Sequence, residues 1–183
     1  KECRSLGATV VAEILDIRNE TQVADWISQV DKERPVDLII ANAGISGGGK
    51  PGFRNSVKVE DIFATNVAGV MNTVAPAVRI MRKRRSGQIA LVSSLTSILG
   101  APNREVYAAS KAAVAAYGRT LRLSLIKDKI NISVVYPGFI DTPMLAGLTG
   151  RKPLQMSAET AASIIAENLA AGKNNIYFPL LSH

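Results

Sequence analysis

Tyr107 and Lys111 stand four residues apart in the stretch Val106-Tyr107-Ala108-Ala109-Ser110-Lys111. In a helix that spacing puts both side chains on one face, one turn apart. A free phenol keeps its proton up to about pH 10, and a cation within reach favours the phenolate. Tyrosine with lysine at this spacing is therefore an acid–base device suited to work nearer neutral pH. Ser94 lies 13 residues upstream of the tyrosine, at the end of the apolar run Ile89-Ala90-Leu91-Val92, where a strand would release its hydroxyl at a sheet edge. By itself the pair has a plainer reading as a surface helix contact worth roughly 0.2–0.5 kcal/mol. What surrounds it decides between the two.

The elements that must position these residues follow from the pattern of apolar side chains. Lys1 to Leu6 reads as the tail of a helix, and Thr9 to Ile14 as a β-branched strand ending at Leu15-Asp16. Asn19 to Thr21 offers a helix cap, and Val23, Trp26, Ile27 and Val30 recur at helical spacing until Pro35. Val36 to Ile40 reads as a strand buried on both faces of a parallel sheet, followed by a glycine-rich loop from Gly44 to Gly52. A long helical pattern covers Val57 to Arg85 and carries Asn66 and Gly69, and Ile89 to Val92 is the next buried strand. After a loop with Gly100 and Pro102, the helix of Tyr107 and Lys111 runs to about Lys127; its alanines and Gly118 permit close packing. Ile132 to Tyr136 is a strand broken by Pro137-Gly138, Ala158 to Ala171 a helix, and Ile176 to Phe178 a last strand. Strands alternating with helices predict one α/β domain around a parallel sheet.

In such a sheet ligands bind at the carboxyl ends of the strands. Asp16, Asn42-Ala43-Gly44, Ser94 and Pro137 to Thr142 all fall at those ends, and Tyr107 opens a helix shortly after one of them. A chance surface pair would not gather chemistry-bearing residues on one rim.

Composition narrows the class further. The 183 residues suffice for one domain with a real core, and 47% hydrophobic with 20% charged residues is the balance of a globular chain. No apolar run approaches the ~20 residues of a membrane helix, and no signal peptide is visible. One cysteine, Cys3, and one histidine, His183, leave no zinc site to propose and point to a reducing, cytoplasmic compartment. The net charge of +7 is densest at Arg79, Arg82, Lys83, Arg84 and Arg85, where cations complement a helix C-terminus without any nucleic-acid partner.

Taken together, Asn42-Ala43-Gly44 after a strand, Asn66 in the long helix, Ser94, Tyr107-x-x-x-Lys111 and Pro137-Gly138 followed by Thr142 resemble the short-chain dehydrogenase/reductase family, from about Gly7 to Phe178. The resemblance implies a three-layer, Rossmann-like, doubly wound parallel sheet whose N-terminal strands are missing from this chain, so that residues 1–183 form a single partial domain. It implies an oxidoreductase that interconverts a small alcohol and a ketone or aldehyde with NAD or NADP, the choice lying in a segment not seen here. Tyr107 would be the general acid/base, and Lys111 would lower its pKa and hold the ribose. Ser94 would orient the substrate oxygen, and Asn66 would support a proton relay through water. Asp16 and Ile17 would lie near the adenine and Asn42, Ala43 and Gly44 along the cofactor. Pro137, Gly138, Ile140 and Thr142 would follow at the nicotinamide end. A homodimer or homotetramer is expected by the same likeness.

The family's glycine-rich turn, Thr-Gly-x-x-x-Gly-x-Gly, is not present, and Ala41 stands where a second asparagine is frequent. Rival motifs are weaker. Gly44 to Gly49 with Lys50 nearly spells a phosphate-binding loop, but Pro51 supplies no hydroxyl for a metal. A serine hydrolase would need a histidine beside its nucleophile, and the sole histidine is the last residue, His183. The alternative from another class is a non-catalytic binding or scaffold protein on the same fold. The loop Met144 to Met156 predicts an apolar cover over the site, with Arg151 and Lys152 as possible readers of an anionic substrate.

Overall fold

The computed structural model of the chain describes residues 2–47, 57–146 and 151–179. A short helix, α1 (Glu2–Ser5), precedes a stretch without regular structure. Asn19 then starts α2 (Glu20–Glu33) by accepting the Gln22 N–H at 3.1 Å, which satisfies one of the amides a helix N-terminus leaves open. Val23 and Ile27, one turn apart, are the residues of α2 that become buried.

Strand β1 (Leu38–Ala41) leads through the glycine-rich connection to α3 (Val59–Phe63). That helix passes without a break through a π-helical turn (Ala64–Ala68) into α4 (Gly69–Arg84). Next come β2 (Gly87–Val92), the short α5 (Thr96–Leu99) and the long α6 (Glu105–Leu125) with a 3₁₀ turn at Ile126–Asp128. Strand β3 (Ile130–Pro137), α7 (Pro143–Ala146), α8 (Ala158–Ala170) and β4 (Asn175–Phe178) complete the order.

The four strands form one parallel sheet in the order β1-β2-β3-β4, with Ala41 opposite Leu91 and Leu91 opposite Val134. Alternate residues of β2 point to opposite faces: Ile89 and Leu91 join Val74, Met81, Val114 and Leu125 of α4 and α6, while Ala90 packs with Ala161, Leu169 and Ile176 on the α8 side. The result is the expected three-layer, Rossmann-like arrangement. Gly118 of α6 is needed for the close approach to the sheet, because a Cβ there would lie 2.6 Å from a Val134 methyl. The basic end of α4 is tied down by partners: Arg84 Nη1 sits 2.7 Å from Asp31, its Nη2 donates to Val36 O, and Arg82 Nε lies 2.8 Å from Asp128.

Some predicted elements differ. Thr9 to Ile14 is not a strand: a strand is held by its neighbour's backbone, and none of the four strands lies beside this stretch, which leaves Val11 64% and Ile14 99% exposed. The strand predicted for Val36 to Ile40 begins at Leu38, and it is an edge rather than a strand buried on both faces. Leu38 and Ile40 are 40% and 47% exposed, since among the described residues only β2 pairs with it. Pro137 closes β3 instead of interrupting it, because at the last position no ladder donor is needed. Part of the glycine-rich loop, Gly48 to Gly52, lies outside the described residues, as do Leu148 of the covering loop and His183.

Candidate functional site

At the carboxyl ends of β1, β2 and β3 the layers part around a cavity of about 580 Å³. Each strand contributes where its ladder stops. Asn42, Ala43 and Gly44 follow β1, Ser94 follows β2, and Pro137, Gly138, Ile140 and Thr142 follow β3; Tyr107 and Lys111 reach in from the first turns of α6. Ten residues singled out from the sequence therefore share one wall system. Asn66, Asp16 and Ile17 do not line it.

Tyr107 and Ser94 line the same cavity, close enough for the Ser94 hydroxyl to favour the Tyr107 phenolate. The Ser94 hydroxyl also accepts from Thr96 N at 3.2 Å and from Thr96 Oγ1 at 3.0 Å, which pins it at the mouth of the strand. Ser93 points elsewhere: its Oγ donates to Lys111 O at 2.8 Å and so braces the helix, which leaves the site-facing role to Ser94. Lys111 is only 4% exposed and donates from Nζ to Val92 O at 2.8 Å. Burial pulls its pKa down to about 8. The Tyr107 phenol is held above its ordinary value by burial, with the Arg104 charge and the Ser94 hydroxyl pulling the other way.

Asn66 sits behind the wall, fully buried in the π-helical turn. Its Oδ1 accepts from Ile45 N at 2.8 Å, and its Nδ2 donates to Ile45 O at 2.9 Å and to Ser110 Oγ at 3.0 Å. One amide thus clasps the loop after β1 to the helix that carries Tyr107. Gly44 fits this closeness: a Cβ there would lie 3.2 Å from Asn66 Oδ1 and 3.3 Å from Lys111 Nζ. Asp16 and Ile17 line a neighbouring depression that shares Ala43 with the main cavity. The Asp16 carboxylate is held at a pKa of about 2 by hydrogen bonds from Arg18, and Asn72 Nδ2 donates to Ile17 O at 3.0 Å.

Sequence reasoning missed Arg104. It lines the cavity, its guanidinium carbon lies 4.8 Å from the centre of the Tyr107 ring, and its Nη2 donates to Ser46 Oγ at 2.6 Å. The signal was available: Arg104 stands three residues before Tyr107, a spacing that brings side chains onto one helical face. Arg151 and Lys152, the cations expected to read an anionic substrate, do not line the cavity. Leu95, Leu99, Phe139, Met144, Leu145 and Leu154 supply its apolar walls. Among the described residues no three His, Cys, Asp or Glu side chains could hold a metal ion, and no helix is long and apolar enough to cross a membrane.

The family model described as short chain dehydrogenase matches residues 1–152. A 3-oxoacyl-[acyl-carrier-protein] reductase of Thermotoga maritima is 34% identical over 169 residues, covering 90% of this chain and 65% of that protein. Human retinol dehydrogenase 8 is 31% identical over 153 residues, covering 84% of this chain and 47% of that protein. A short-chain dehydrogenase from Sphingobium yanoikuyae, solved in complex with NADPH, superposes with a TM-score of 0.85 at 20% identity over 98% of this chain and 72% of that one. Across the first four curated relatives the chain spans 71, 65, 56 and 47% of their lengths.

Proposed function

Since this chain belongs to the short-chain dehydrogenase family, we propose that the protein is an NAD- or NADP-dependent oxidoreductase that interconverts an alcohol with a ketone or aldehyde, using Tyr107 as its proton donor and acceptor. The observation that carries the reading is the cluster itself: Tyr107 and Ser94 share one cavity wall with a lysine kept 4% exposed.

The residues fit a nicotinamide cofactor. Lys111 Nζ, bonded to Val92 O, has further N–H groups for ribose hydroxyls, and Gly44 keeps the approach to it narrow. Asn42, Ala43 and Gly44 would run along the cofactor, Ile140 and Thr142 would meet its carboxamide, and Asp16 with Ile17 would border the adenine. When bound, the cofactor supplies or takes the hydride. Everything else is the chain's own work. Ser94 presents a hydroxyl that orients the substrate oxygen beside the phenol. Tyr107 delivers a proton to that oxygen during reduction and removes it during oxidation. Burial of the site keeps the proton path inside the protein, and Lys111 with Asn66 behind it would return the proton toward solvent. The apolar walls favour a hydrophobic carbonyl compound, a property in keeping with relatives named ketoacyl reductase and retinol dehydrogenase.

The test is a fluorescence titration of NADH and NADPH into the protein, coupled to reduction of an apolar ketone. Saturable enhancement is expected, with Tyr107→Phe binding as tightly but reducing the ketone about 10²–10⁴-fold more slowly. Saturable binding without turnover would instead make the protein a nucleotide-binding scaffold.

A further inference from the structure

Among the described residues, Arg104 is the one cation of the cavity that the proposed chemistry leaves unused. It makes no ion pair with any described carboxylate; the four pairs present involve Arg18, Arg82 and Arg84 only. Its Nε is buried and finds no oxygen acceptor. What the guanidinium does lie on is the Tyr107 ring, with its carbon 4.8 Å from the ring centre, while Lys111 Nζ stands farther off at 5.9 Å. Ser46, from the loop after β1, holds the other end through the 2.6 Å bond from Nη2.

We infer that Arg104 is a second cation of the acid–base device, a positioning residue that favours negative charge on the Tyr107 phenol. The inference rests on the reading of Tyr107 as the proton-transfer group. Two physical facts make arginine effective here. A guanidinium stays charged throughout the working range, whereas burial brings Lys111 close to losing its proton near pH 8. An aromatic face attracts a cation, and a phenolate attracts it more strongly than a phenol, so the contact strengthens as the proton leaves. No opposing charge is at hand. From α6 and the N-cap residue before it, the cavity around Tyr107 is lined by Lys111 and Arg104, from the end of β2 and α5 by Ser94 and Thr96, and from the turn after β3 by Thr142. Among the described residues no Asp, Glu or His lines the cavity. Ser46 keeps the guanidinium over the ring instead of in the mouth of the cavity, which gives the loop after β1 a hand in tuning the tyrosine.

The experiment reads the phenol directly. Protein carrying ¹³Cζ-tyrosine is followed by NMR from about pH 7 to about pH 11, with the Tyr107 resonance assigned among the four tyrosines through Tyr107→Phe. Arg104→Gln is expected to move the ionisation of Tyr107 up by about one pH unit or more, and Arg104→Lys to restore part of the difference. A Tyr107 titration unchanged in Arg104→Gln overturns the inference, even if the variant raises KM, since Arg104 would then be a substrate contact only. The measurement needs neither cofactor nor substrate. A shift in a protein that reduces no ketone would sink the proposed function and leave the coupling standing; an active enzyme without the shift would do the reverse.

Discussion

Lys111 carries a cost that its chemistry explains. A lysine 4% exposed, with its pKa drawn from the ordinary 10.5 to about 8 by burial, is held in a place that disfavours its charge. The sign follows from proton binding. Between about pH 8 and about pH 10.5 the unfolded chain holds a proton the folded one has released, so stability rises with pH across that window. Below about pH 8 the full penalty applies, roughly 3 kcal/mol at most. Lys111→Met is therefore expected to unfold at higher urea than the parent at pH 7, by about 1–3 kcal/mol once the lost bond to Val92 O is offset. The advantage should shrink toward pH 10, as activity is lost at every pH. Urea melts of both proteins at the two pH values check this, and an advantage that stays constant with pH would refute it. The sequence exposed the Tyr107–Lys111 pair through spacing alone. It could not show that the lysine would be sealed from water, because that depends on the turns after β1 and β2 closing over it.

The π-helical turn between α3 and α4 has a mechanical role. Such a turn usually marks a functional position, and here it delivers the Asn66 amide to three partners on two other segments. Asn66→Ala would leave Ile45 N–H and C=O and the Ser110 hydroxyl short of partners, at a cost of about 2–4 kcal/mol. Denaturant unfolding is expected to show that loss, and hydrogen exchange at the Ile45 amide should quicken beyond what the global change predicts. If exchange at Ile45 tracks the global loss, the clasp is not local. From sequence, Asn66 reads as one residue in an uninterrupted helix from Val57 to Arg85. The extra residue in the turn is decided by packing against Ile45 and Ser110, 21 and 44 positions away, and no local pattern reports it.

At the scale of the molecule, α6 presents two faces. Val114, Ala115, Gly118 and Leu125 are buried on the side of the sheet, while Ala116, Arg119, Thr120 and Leu123 lie outside, Leu123 at 70% exposure. An exposed Leu123 on the same face as Ala116 and Thr120 suits a helix-against-helix contact. The family likeness therefore leads to the expectation of a homodimer or homotetramer built on α6. In analytical ultracentrifugation the protein should sediment as such an assembly, and Leu123→Glu should shift it to a smaller species with its circular dichroism unchanged. Sedimentation of the parent as a monomer across micromolar concentrations would dispose of the idea.

Spacing and periodicity were sufficient for the class of fold, the rim and ten of the residues on it, because those features depend on local pattern and on the rule that parallel strands end on one side. The fate of Thr9 to Ile14 was not theirs to decide. β-branching favours a strand, but only a neighbouring strand makes one, and here that neighbour is not among the four in the sheet. Arg104 teaches the same lesson within the site. Its distance from Tyr107 in the chain allowed a contact, yet whether the guanidinium would lie on the ring depended on Ser46, 58 residues earlier, reaching across to hold it. Local sequence determines which side chains can share a face; the long-range closure of loops onto that face determines what each of them touches, and hence its charge and its chemistry.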